Sequence, residues 1–207
     1  MGVQNTGDLQ TGPNFGTPIA VTGGATAASG SATTIARSDH VHSTASMPVL
    51  LASTTLASDA ASYTFSSIPQ TYTHLELYTY ARSNFAYPND YMACQFNNDT
   101  GSNYYWLPYN NATATVSGNV GNITGTTNLE TNPTLNICVI AGYTTGNTKS
   151  AYNSFGFVNV SASIHDHEWY SGFTYWTGTA AISTIKLFPG NGSLIKAGSV
   201  LSLYGYP

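Results

Sequence analysis

The chain reads as an all-β protein, an extended N-terminal arm over 1–46 followed by an antiparallel β-sandwich head over 47–207, and three observations carry that reading. Aromatic and β-branched residues recur after Met47 in short runs that alternate apolar and polar. Clusters of Gly, Asn, Asp and Pro separate those runs. No window combines a 3.6-residue apolar period with helix caps. Many short strands with no interleaved helices predict a sandwich, jelly-roll-like in form.

The arm contains a single aromatic residue, Phe15, among Gly, Ala, Thr and Ser with scattered Pro. Such a segment buries too little apolar surface to offset its own ordering entropy, so it is expected to be disordered or ordered by partners. In the head, 73–83 sets Leu75, Leu77, Thr79 and Ala81 against His74, Glu76, Tyr78, Tyr80 and Arg82, one face for the core and one for the surface. The run 90–97 opposes Met92, Cys94 and Phe96 to Tyr91, Ala93 and Gln95, and a turn cluster follows at 97–103. Further strands are expected over 49–56, 62–67, 104–107, 134–141, 151–160, 168–176, 181–188 and 199–205, roughly ten in all. The stretch 110–133 holds few large apolar residues beyond Ile123 and Leu129 and reads as a long surface excursion.

Charged residues are only 7% of the 207, and the formal net charge is −4. With no basic stripe to neutralise phosphates, nucleic acid and anionic lipid are poor partners. No apolar run approaches the roughly 20 residues of a membrane helix, so no membrane insertion is expected. Met1-Gly2-Val3-Gln4-Asn5 begins no signal peptide, which predicts synthesis in a cytoplasm. Cys94 and Cys138 lie inside apolar strands and are expected to be buried free thiols. Sequons at Asn98, Asn111, Asn122, Asn159 and Asn191 arise by chance in a chain this rich in Asn, Ser and Thr.

Two sets of residues carry a resemblance. The first is Ala36-Arg37-Ser38-Asp39-His40-Val41-His42, preceded by small residues from Gly24. It resembles an element that recurs in the shafts and collars of bacteriophage tail fibres. The second comprises 67–77, Ala81-Arg82-Ser83, 96–104 and the closing 198–205, which look like a domain common in phage minor structural and fibre proteins. The resemblance implies a homotrimer in the virion, made in the host cytoplasm and joined to other virion proteins of baseplate, tail or capsid by its N-terminus. Receptor binding is the function expected, with a head fibre, capsid decoration or baseplate role without receptor as the alternative.

For recognition of host-surface polysaccharide the expected side chains are Tyr104, Tyr105, Trp106 and Tyr109 beside Asn97, Asn98 and Asp99. Rings offer apolar area at low entropic cost and amides give directional hydrogen bonds. Packing competes at each ring, because alternate residues of a strand must face the core or a neighbouring chain. Trp169, Tyr170, Tyr175 and Trp176 form a second aromatic cluster. His40 and His42, two apart on an extended strand, share a side. In the trimer implied by the resemblance they would supply six imidazoles to an axial transition metal, for which iron is favoured over zinc. His165 and His167, next to Glu168, repeat the spacing, with a polar edge or turn as the simpler reading. No Gly-x-Ser-x-Gly elbow, Walker loop or His-Glu-x-x-His helix occurs, so no enzyme is expected. A glycan-degrading tailspike is the remaining enzymatic alternative, with carboxylates drawn from Glu76, Asp90, Asp99, Glu130, Asp166 and Glu168.

Overall fold

The computed structural model describes residues 47–108, 119–124, 131–160 and 165–207, with backbone alone at 108, 119–124, 155–160 and 165–170. The arm expected over 1–46 lies outside the described residues. Pro48–Pro207 forms one compact unit. Its strands are β1 (Val49–Thr55), β2 (Tyr63–Phe65), β3 (His74–Ala81), β4 (Asn89–Phe96), β5 (Tyr104–Pro108), β6 (Asn119–Thr124), β7 (Thr134–Ala141), β8 (Lys149–Val160), β9 (His165–Trp176), β10 (Ile185–Pro189) and β11 (Val200–Tyr206). All pair antiparallel, in a seven-stranded sheet ordered β1-β11-β3-β7-β8-β9-β5 and a four-stranded sheet ordered β2-β10-β4-β6.

The alternation read in β3 is realised. Leu75, Leu77, Thr79 and Ala81 are buried, and they pair across to Ile140, Cys138, Asn136 and Thr134 of β7. From the smaller sheet Phe65, Met92, Cys94, Phe96, Ile185 and Leu187 join the same buried cluster. Cys94 and Cys138 are free and buried, and desolvation pushes both thiols up.

Two expectations fail. The stretch 110–133 is not an excursion throughout, because 119–124 forms β6 and pairs with β4. Backbone hydrogen bonds make that pairing, so it leaves little apolar signature in the side chains. In β4 the face opposite Met92 and Cys94 is not simply surface, since Ala93 is 0% and Gln95 8% exposed.

The outward side of the larger sheet carries a row that crosses every strand: Leu107, Phe173, Tyr152, Val139, Glu76, Tyr204 and Leu50 stand opposite one another in register. A bulge between Leu50 and Ala52 keeps β1 in step at that end.

Candidate functional site

The turn after β4 is the first place to test for recognition. Asn97 and Asn98 both have left-handed backbones, φ 52° and 58°, and the Asp99 N–H donates to the Phe96 carbonyl at 2.9 Å. This is the type I′ pattern, in which Asn tolerates positive φ better than most residues. The Asn97 carboxamide then ties the turn to the segment before β10. Its oxygen accepts from the Ser183 and Thr184 N–H groups at 2.8 and 3.2 Å, and its nitrogen donates to the Ala181 carbonyl at 2.8 Å.

Asp99 is equally committed. Its carboxylate accepts from the Trp176 indole at 2.7 Å, the Asn103 amide at 2.9 Å and the Gly101 N–H at 2.8 Å. Those three donors, Trp176 foremost, hold its pKa below the usual value. Tyr104 is 0% exposed, its hydroxyl accepts the Phe96 N–H at 2.8 Å and reaches the Asp99 carbonyl at 3.2 Å, and burial pushes the phenol up. Its ring and Phe96 flank Trp176, at 6.4 and 5.6 Å between centroids.

Three of the residues expected to meet sugar are engaged within the fold itself. Tyr104 is core, and the polar atoms of Asn97 and Asp99 are occupied in holding the corner. Asn98 is exposed. Tyr105 is 40% exposed on the outward side of β5, whereas Trp106 is half-buried and its indole N–H has no partner among the described residues. Tyr109, His40 and His42 lie outside the described residues. In the second aromatic cluster Tyr175 is exposed and Trp176 is core. His165 and His167 stand in β9 opposite Val160 and Val158, with their side chains, like those of Glu168, Trp169 and Tyr170, outside the described residues. Among the described residues no group of three or more His, Cys, Asp or Glu could hold a metal ion.

A site with unspent recognition chemistry lies at the other end of β4. Phe85, Tyr87, Asn89, Asp90, Tyr91 and Asn191 line an open cleft of about 350 Å³. The loop between β3 and β4 is held to the loop after β10 by reciprocal bonds. Asn84 N–H donates to the Leu194 carbonyl at 3.0 Å, Leu194 N–H to the Asn84 side chain at 2.7 Å, and Lys196 N–H to the Arg82 carbonyl at 2.9 Å. On that frame the Phe85 and Tyr87 rings meet at 5.0 Å with an interplanar angle of 33°, and Tyr87 is 62% exposed.

The cleft floor is polar and fixed. Asp90, 2% exposed, accepts from its neighbour's Tyr91 N–H and from the Asn191 amide, both at 2.8 Å, and from the Ser193 hydroxyl. The Tyr91 hydroxyl donates to the Gly190 carbonyl at 3.0 Å. A Cβ at position 190 would stand 1.6 Å from the Tyr91 ring, so glycine is what lets that ring lie across the strand end. Asn89 makes no side-chain hydrogen bond among the described residues, which leaves its donor and acceptor available beside the rings. The sequence reading passed over this site. Phe85-Ala86-Tyr87-Pro88-Asn89-Asp90 carried a signal, rings beside amides in a loop, but nothing linear linked it to Asn191.

A second hollow, of about 340 Å³, is lined by Pro48, Tyr78, Ser202, Tyr204 and Tyr206. One oxygen of Glu76 accepts from the Tyr78 and Tyr206 hydroxyls at 2.8 and 2.7 Å, and those bonds to the carboxylate push both phenols up. Of its four hydroxyls, those of Tyr78 and Tyr206 are spent on that carboxylate and that of Ser202 bonds the Ser53 hydroxyl. Compared with known protein families, curated proteins and solved structures, the chain has no significant match.

Proposed function

We propose that this chain is a non-enzymatic component of a bacteriophage particle, a jelly-roll-like β-sandwich head on an N-terminal attachment arm, that recognises host-surface polysaccharide. The observation that carries the reading is the cleft at Tyr87. The exposed Tyr87 ring, tilted against the half-buried Phe85 and beside the Asn89 amide over a floor fixed by Asp90, suits the alternating apolar and hydroxyl faces of a pyranose. The Asp90 oxygens are engaged by three donors, and no second carboxylate is found among the described residues that line the cleft. A glycosidase needs a pair of carboxyl groups about the scissile bond, so the cleft favours binding over cleavage.

The resemblance of the Ala36 to His42 element to tail-fibre shafts supplies the virion assignment. A homotrimer joined through its arms, with iron on the axis at His40 and His42, would present three such clefts. Avidity would then raise a weak single-site affinity by about 10² to 10⁴. Binding of the purified full chain to host cell-surface polysaccharide tests the proposal. Tyr87→Ala is expected to weaken it about tenfold, as loss of a central aromatic contact does. Unchanged binding in that variant would remove the cleft from the function and leave the purely structural role, as head fibre, decoration or baseplate protein.

A further inference from the structure

The outward side of the seven-stranded sheet is unusually apolar for a solvent face. Toward the β5 edge, Tyr105 and Tyr175 stand opposite each other, as do Leu107 and Phe173, and Phe173 pairs on to Tyr152. The Tyr152 and Phe173 rings meet at 5.4 Å. These five side chains are between 38% and 48% exposed. Tyr80 and Leu135, opposite each other on β3 and β7, are 43% and 49% exposed. Where the sheet order brings β5, β9, β8 and β7 side by side, the remaining described outward positions are Ser150, Ser154, Ser171, Ile137, Val139 and Ala141, and none is charged.

We infer that this face is where the heads of two copies of the chain meet. Area is the first reason. A large aromatic side chain offers roughly 200 Å². Five aromatic side chains and two leucines at these exposures, with the partly exposed apolar positions between them, make a patch on the order of 800 Å². That is about what each partner contributes to a standard stable interface, and more than the few hundred Å² that soluble monomers usually leave bare. Charge is the second reason. At the described outward positions of β5, β9, β8 and β7 a partner of opposite charge would find nothing to read, while a second copy meets no like charge there across a two-fold axis, which sets the same patch against itself and so joins heads of separate copies of the proposed arm-joined trimer. Tyr and Ser hydroxyls at the margins can keep their hydrogen bonds to water or to one another as the rings are covered. The inference stands on the face alone and does not depend on what the cleft binds.

The test uses the full chain, with a readout specific to the heads so that association through the arm is not mistaken for it. Sedimentation should show association. Tyr152→Thr with Phe173→Thr, which keeps strand-favouring residues at both positions, should weaken association between heads roughly tenfold or more with the melting temperature little changed. Ser150→Cys, beside Tyr175 on the same face, should form an inter-chain disulfide on mild oxidation, and the double Thr substitution should abolish it. Lys186→Ser on the smaller sheet should leave cross-linking as it was. A monomeric wild-type chain would overturn the inference. So would Ser150→Cys cross-linking that is absent, or that persists in the double variant. Loss of polysaccharide binding in the double variant with association unchanged would also overturn it, and would make the face a recognition surface instead.

Discussion

β4 ends in two aspartate-centred corners of similar composition and opposite use. At its C-terminal end Asp99, Asn97, Tyr104 and Trp176 direct their polar atoms at one another and at the backbone, and the rings are core. At its N-terminal end Asp90 is just as fully engaged, yet Tyr87 is left exposed beside it and the Asn89 amide makes no hydrogen bond among the described residues. In one corner the carboxylate organises a closed structure, and in the other it organises the floor of an open one. An aromatic and amide cluster is therefore a recognition site only where its hydrogen-bonding capacity outlasts folding.

The difference can be broken most severely at Trp176. Trp176→Ala removes a core ring and the leading donor to Asp99, and is expected to cost about 3–5 kcal/mol, read as a large fall in the denaturant midpoint. Next comes Tyr104→Phe, which keeps the ring but leaves the buried Phe96 N–H without its acceptor. About 1–3 kcal/mol should be lost, with polysaccharide binding intact. If binding is lost instead, the closed corner is a site after all.

Asp99→Asn sharpens the contrast through pH. The folded pKa of Asp99 is lowered from 3.8, so its contribution is fully present above that value and is lost as pH falls through the lower folded one. At neutral pH the variant should be about 1 kcal/mol less stable. Melting curves of the two proteins should converge in acid below about pH 4. A gap that stays constant down to pH 2 would mean that the carboxylate charge contributes nothing there. The smallest stability effect belongs to Tyr87→Ala, expected within about 0.5 kcal/mol of wild type because the ring is mostly exposed. A fall as large as that of Tyr104→Phe would place Tyr87 in the framework and erase the difference between the corners.

Much of the strand content was legible because period-two alternation is a local property. The run 134–141 coincides with β7, and 73–83 contains β3 with its buried face as read. The run 181–188 begins four residues before β10, because 181–184 is engaged by the Asn97 side chain and by a bond from the Ile182 N–H to the Tyr143 carbonyl. β6 was illegible, since its pairing with β4 is made by backbone groups that every sequence possesses.

Sequence by itself determined that the head is built from antiparallel strands, that its polar side chains are hydroxyls and amides far more than charges, and that its cysteines sit in apolar strands. These follow from composition and alternation, which are properties of neighbouring residues. Tertiary structure alone decided which rings face solvent and which hydrogen-bonding groups remain unspent. Tyr104 and Tyr105 are adjacent and chemically identical, yet one is sealed against Trp176 and the other lies on the outward face. Asn191 reaches Asp90 from 101 positions away. Only tertiary structure, through the pairing of β10 with β4 in one case and the burial of one side of a strand in the other, separates or joins such residues, because burial is settled by what lies opposite a side chain and not by what lies next to it in the chain.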